Sequence, residues 1–193
     1  MAHKKILLLE AAGGVFTAAA SLFMQHLYSL SGQELLGILF GAVNGSVWEP
    51  CKTLLFPFLI WALLEALIYR MAVYKYTAAK TISLYALGVL YLFLRQTALN
   101  PHIAAAVSVS AAIALSVILY TSPLPLQKLF VPSLLFLFLF ISMYFSLTPF
   151  APHLKVFRDP ETGLYGILPR HFDYGAFVFD SMYLGKISHS LLK

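Results

Sequence analysis

The densest run of chemistry-bearing side chains is Asn44-Gly45-Ser46-Val47-Trp48-Glu49-Pro50-Cys51-Lys52, set between two apolar stretches. It puts an amide, a hydroxyl, a carboxylate and an ammonium close together. Such a set can do acid/base work, with Glu49 as general base and His26 or Lys52 assisting, or it can hold an ion or a lipid headgroup. The same residues also have a purely structural reading. Ser46 and Glu49 are spaced as a capping box, in which hydroxyl and carboxylate satisfy each other's backbone N–H groups at a helix start. Pro50 then falls in the first turn, where its missing N–H costs least. Lys52 pairs with Glu49 one turn on, and Trp48 anchors the chain at the membrane surface. Both readings stay open at this point.

Glu10, Glu65 and Arg70 form a second set, within or at the ends of apolar runs. Ionisable groups in lipid face a partner or a water-filled cavity, so these three read as a structural ion-pair layer or as part of a proton or cation path. Glu49 and Glu65 are about 24 Å apart along a helix rising 1.5 Å per residue, too far to share one site. Further along, Asp159-Pro160 and Thr162-Gly163 make a turn sequence in which the Asp side chain bonds the backbone and Gly permits positive φ. That turn could bring Asp159 and Tyr165 over the Asn44–Lys52 cluster as a lid. HExxH, GxSxG, Walker and CxxC patterns are all missing from the sequence, and no metal or cofactor is expected. The six histidines are dispersed; His26, His102 and His153 with Glu49 are the set from which a zinc hydrolase would have to be built. The lone Cys51 has no internal disulfide partner.

The elements that must position these groups are transmembrane helices. Of 193 residues 60% are apolar and 11% charged, against about 45–50% and 25% in soluble domains, and the mean hydropathy is +0.82. Spans need about 20 apolar residues, and residues 6–28, 51–72, 79–99, 103–120 and 129–147 qualify. The fold expected is an all-α membrane bundle of five spans, with 35–43 as a short re-entrant or interfacial half-helix and 148–193 as an ordered interfacial tail. The net charge of +5 comes from only 13 Lys and Arg, mostly near the ends of apolar runs. It reads as a topology signal and excludes a nucleic-acid partner. Lys4 and Lys5, then Arg70, Lys75 and Lys80, then Lys128 fall on one side, which predicts a cytoplasmic amino terminus in a cell membrane. On that topology His26 and Tyr28 reach the depth of Asn44 to Lys52 on the outer side, joined by Arg95, Asn100 and His102. Gly37, Gly41 and Gly45 form one small-residue stripe, and Ala104, Ser108, Ala112 and Ser116 another. Such stripes let helix backbones approach closely, within the chain or between copies in a homo-oligomer.

Three segments together resemble a domain-of-unknown-function family of small, largely Gram-positive bacterial polytopic membrane proteins. They are His26-Leu27-Tyr28 with Ser31-Gly32, the Asn44–Lys52 run, and Asp159-Pro160-Glu161-Thr162-Gly163-Leu164-Tyr165-Gly166-Ile167. The resemblance implies membership and topology but no known activity. This sequence carries Gly45 and Pro50 where the family pattern has Glu and His, which leaves Asn44, Ser46, Trp48, Glu49 and Lys52 as the retained candidates. The leading expectation is a binding module for a lipid headgroup, small solute or partner protein through the outer cluster. An intramembrane enzyme acting on a lipid or lipid-linked substrate, and a small transporter or channel, are the alternatives.

Overall fold

The computed structural model describes residues 3–69, 71–97 and 99–167. Six helices follow in order: α1 (His3–Leu30), α2 (Leu35–Phe40), α3 (Trp48–Tyr69), α4 (Val73–Leu94), α5 (Pro101–Thr121) and α6 (Phe130–Ser146), with 3-10 turns at Leu126–Leu129 and Lys155–Phe157. The described residues contain no strand, only an isolated bridge between Arg158 and Tyr165. Five helical stretches, α6 counted with its leading 3-10 turn, are long and apolar enough to cross a membrane. The chain is an all-α bundle. Below, "upper" means the end where α1 finishes and α3 begins, and "lower" the opposite end.

Helix boundaries follow local chemistry. α1 ends in a Schellman arrangement: Gly32 and Gln33 take positive φ, Gly32 N–H reaches Ser29 O at 3.2 Å, and Gln33 N–H reaches Tyr28 O at 2.8 Å. α2 is only six residues long, far too short to span. It lies on the end of α1 because Gly37 presents no Cβ; one added there would come within 2.7 Å of the Tyr28 Cα. α5 starts with Asn100 as N-cap, its side chain accepting the His102 N–H at 2.9 Å, and with Pro101 in the first turn. α3 stays helical through Pro57, although that residue removes one ladder hydrogen bond.

α4 begins six residues before the apolar run marked by sequence, so Lys80 lies inside a helix and is buried instead of sitting in a connecting loop. The helix packs on α3, α5 and α6. Leu54, Leu55 and Phe58 of α3, Leu84, Leu87 and Tyr91 of α4, and Phe140 and Tyr144 of α6 make the core. α6 is peripheral, and most of its surface, including Leu135, Phe136 and Phe138, is exposed, as befits a helix facing lipid. The two small-residue stripes are both used within the chain. Ala104, Ser108, Ala112 and Ser116 are buried, while Gly37 and Gly41 pack on α1 and Gly45 on Asp159.

Candidate functional site

At the upper end Glu49 and Lys52 pair at 2.7 Å, both essentially without exposure. The first turn of α3 puts them on one face, three residues apart. Thr148, just after α6, closes the arrangement: Lys52 Nζ donates to its Oγ1 at 3.0 Å, and that hydroxyl donates to Glu49 Oε1 at 3.0 Å. Val43 N–H donates to Glu49 Oε2 at 3.1 Å, and Lys52 also donates to Ile38 O at 3.3 Å. One carboxylate meets one ammonium, and every polar atom of the pair has a partner. The group ties α2, the loop after it, α3 and the end of α6 together.

The expected capping box does not form. Asn44 Oδ1 takes the Ser46 N–H at 2.9 Å, and Glu49 turns to Val43 instead. Trp48 is buried and packs on Phe157 at 5.5 Å between ring centroids, not at an exposed surface. Above the pair, the segment after α6 is latched to the 43–47 loop. Asn44 Nδ2 donates to Gly166 O at 2.7 Å, and Gly45 N–H donates to Asp159 Oδ1 at 3.0 Å. Asp159 Oδ2 accepts the Thr162 N–H at 3.0 Å and its hydroxyl at 2.5 Å, so the turn read from the sequence is present. Burial alone would push the Asp159 carboxyl up, but the hydrogen bonds from Thr162, Gly45 and Glu161 outweigh it and hold the group below its usual range. Tyr165 stacks near His153, 4.8 Å between centroids, and so lies beside the latch.

The structure therefore brings Asn44, Ser46, Trp48, Glu49, Lys52 and Asp159 to one end, as a buried ion pair below a polar latch. His26 is exposed on α1, and its side chain is not among the groups that bond Glu49 or Lys52. Depth along a helix sets the level of a side chain but not the face it occupies. Tyr28 supports the turn at the end of α1 through its carbonyl, which accepts from Gln33 and from the Ser31 hydroxyl at 3.1 Å. Thr148 was not anticipated, because a threonine at the end of an apolar run carries no distinctive signal.

At the lower end Glu10 and Glu65 do share a level, and the cation between them is Lys80. Its Nζ lies 2.7 Å from Glu10 Oε2 and 2.8 Å from Glu65 Oε2. Ser116 donates to Glu10 Oε1 at 2.8 Å, and the Tyr76 hydroxyl lies 2.6 Å from Glu65 Oε2 and 3.0 Å from Ala62 O. Lys80 also sits over the Phe58 and Tyr76 rings, at 5.2 and 5.5 Å. Arg70, expected as the partner, lies outside the described residues. Glu65 Oε1 is buried with no hydrogen-bond partner among the described residues. The signal for Lys80 was its place, seven residues into what is in fact a helix of apolar and aromatic residues.

A lateral groove of about 860 Å³ runs between α1 and α5. Ala11, Gly14 and Ala18 of α1 face Ala106, Ser110 and Ala114 of α5 across it, and Pro50, Leu54 and Tyr91 also line it. Glu10 lines its lower part; Gln25 and His102 line its upper part. A separate cavity of about 130 Å³ is lined by Lys80, Tyr76 and Ala62. The described residues include no group of three or more His, Cys, Asp or Glu able to hold a metal ion.

Fold and composition together define a multi-pass α-helical membrane protein. Within that class, a family model covering residues 3–167 matches the chain, which thus belongs to the family of unknown function DUF6512. No curated protein and no solved structure matches it.

Proposed function

We propose that this protein is a binding module of the cell membrane that takes an amphiphile from the bilayer into the groove between α1 and α5. The groove carries the reading. Its volume falls within the range of about 300–1,000 Å³ typical of small-molecule sites. Its lining runs from Leu7 to Gln25 of α1, roughly 27 Å of helix, which is close to the ~30 Å hydrocarbon thickness of a bilayer. Small side chains on both helices leave room beside the Gly14–Ile113 contact for a chain entering sideways. The upper Glu49–Lys52 pair, by contrast, is closed to a ligand by its own hydrogen bonds, which moves the binding role away from the Asn44–Lys52 cluster. Lys5, Lys75 and Lys128 lie toward the lower end, which supports a cytoplasmic assignment for it.

Photocrosslinking tests this reading. Protein reconstituted into phosphatidylethanolamine/phosphatidylglycerol vesicles with a diazirine-bearing phospholipid should be labelled several-fold more on α1 and α5 than on α6, which also faces lipid. Ala18→Phe combined with Ala106→Phe, which fills the groove, should remove that excess. Equal labelling of α5 and α6, or an excess that survives groove filling, would overturn the reading.

A further inference from the structure

From the lower cluster we infer that the protein carries a buried single-proton binding site, with the proton held by Glu65 against Tyr76 and exchangeable with Glu10 across Lys80. The observations are independent of what fills the groove. Both carboxylates contact the same ammonium, at 2.7 and 2.8 Å, so full ionisation would leave one uncompensated negative charge. Glu65 and Glu10 are 1% and 3% exposed and Lys80 is 6% exposed. In a membrane-spanning bundle an uncompensated charge of this kind is strongly disfavoured, and two carboxylates sharing a site hold a proton between them.

Hydrogen-bond counting points the same way. The Tyr76 hydroxyl has a single hydrogen but two acceptors in reach, Glu65 Oε2 at 2.6 Å and Ala62 O at 3.0 Å. A protonated Glu65 resolves this. Its O–H donates to the tyrosine oxygen, the tyrosine donates to the Ala62 carbonyl, and Lys80 still has a lone pair of Glu65 Oε2 to bond. An ionised Glu65 would instead compete with Ala62 for that one hydrogen.

Every element packed around the cluster contributes to this balance. α1 supplies Glu10 and α3 supplies Glu65. α4 supplies Lys80 and Tyr76, and α5 supplies Ser116, which bonds Glu10 at 2.8 Å, and Tyr120, whose ring lies 5.8 Å from that of Tyr76. Among these described groups the only cation is Lys80. The site also lies between two spaces: Glu10 lines the α1/α5 groove, and Lys80 and Tyr76 line the 130 Å³ cavity. A proton passing from Glu65 to Glu10 changes which carboxylate is charged, and so changes the electrostatics of the groove wall without any net loss of charge balance. The ligand is a proton; the competing occupant for the same missing positive charge is a sodium ion.

Infrared spectroscopy of the full chain in detergent micelles at neutral pH tests the site. The expected result is a carbonyl stretch from one protonated carboxyl per chain, shifted in D₂O and present with or without sodium. Glu65→Gln and Glu10→Gln should each abolish the band, since each leaves one carboxylate for one lysine. Tyr76→Phe should keep the band and move its frequency, because the carboxyl O–H loses its acceptor. A folded wild type with no band at neutral pH would overturn the site, whatever the variants do. So would a band seen only in sodium-free buffer, which would identify the occupant as the metal ion, and so would a band that survives both glutamine substitutions. A band unmoved by Tyr76→Phe would overturn its placement on Glu65.

Discussion

Among the described residues are two buried clusters of carboxylate and lysine, and they differ in stoichiometry. At the upper end Glu49 meets Lys52 one to one, and Thr148, Val43 and Ile38 use up the remaining donors and acceptors. At the lower end Glu10 and Glu65 divide Lys80 between them, and one oxygen of Glu65 has no hydrogen-bond partner among the described residues. The first arrangement joins segments distant in sequence and leaves nothing over. The second leaves a charge and an acceptor unmatched, and it borders both cavities. Buried charges that close on themselves hold a fold together, whereas those that do not close are positioned to bind something. That distinction, more than residue type, separates scaffold from site here.

The largest expected effect lies at the closed cluster. Glu49→Gln leaves Lys52 buried without its counter-charge, and breaking a buried pair in this way costs about 3–5 kcal/mol. For a chain of this size that corresponds to a fall on the order of ten degrees in unfolding midpoint, readable by thermal denaturation in detergent. Lys52→Met should do similar damage from the other side. A Glu49→Gln protein as stable as wild type would mean that the upper carboxylate is held at a cost, and the contrast between the clusters would disappear.

A middle-sized effect is expected at the latch. Asp159→Asn keeps the shape but weakens bonds to the Gly45 and Thr162 N–H groups, and hydrogen bonds to a charged group contribute about 1.5–3 kcal/mol. The carboxyl lies below its usual range when folded, so its contribution is present above the unfolded carboxylate value, about 3.9, and is lost as pH falls through the lower folded value. Hydrogen-exchange protection of the Gly45 and Thr162 amides, measured relative to the intrinsic rate at each pH, should therefore fall in Asp159→Asn at neutral pH, and in wild type only in acid. Uniform protection of both amides in the variant would detach the latch from this carboxylate.

Much of the bundle was legible because apolar run length and turn chemistry are local. The 35–43 stretch is visibly too short to span, and the run marked at 103–120 falls within α5, whose first turn Asn100 and Pro101 set. The clusters were legible only in part. Glu49 and Lys52 sit one turn apart on the same helix, so their pairing follows from sequence spacing. Lys80 and Glu10 are 70 residues apart in sequence. A lysine near the end of an apolar run reads as a loop residue until its partners on other helices are known. Ser46 and Glu49 have the right spacing for a capping box, yet Asn44 intercepts the N–H that Glu49 would have taken. Spacing states which bonds are possible, and tertiary neighbours decide which ones form.

The smallest effect, and the sharpest test of the comparison, belongs to Glu65→Gln. If Glu65 carries a proton, the substitution replaces one neutral group by another of nearly the same shape and leaves Glu10 and Lys80 as a balanced pair. The remaining cost is one imperfectly satisfied amide, on the order of 1 kcal/mol, against about 3–5 kcal/mol for the same chemical change at Glu49. Thermal denaturation of the two variants side by side at neutral pH reads the difference directly. Equal losses would show that Glu65 is ionised and that Lys80 depends on it as Lys52 depends on Glu49. A loss at Glu49 alone would leave the lower carboxyl as a neutral group in a charged setting, and a group in that state is free to exchange its proton without destabilising the helices that hold it.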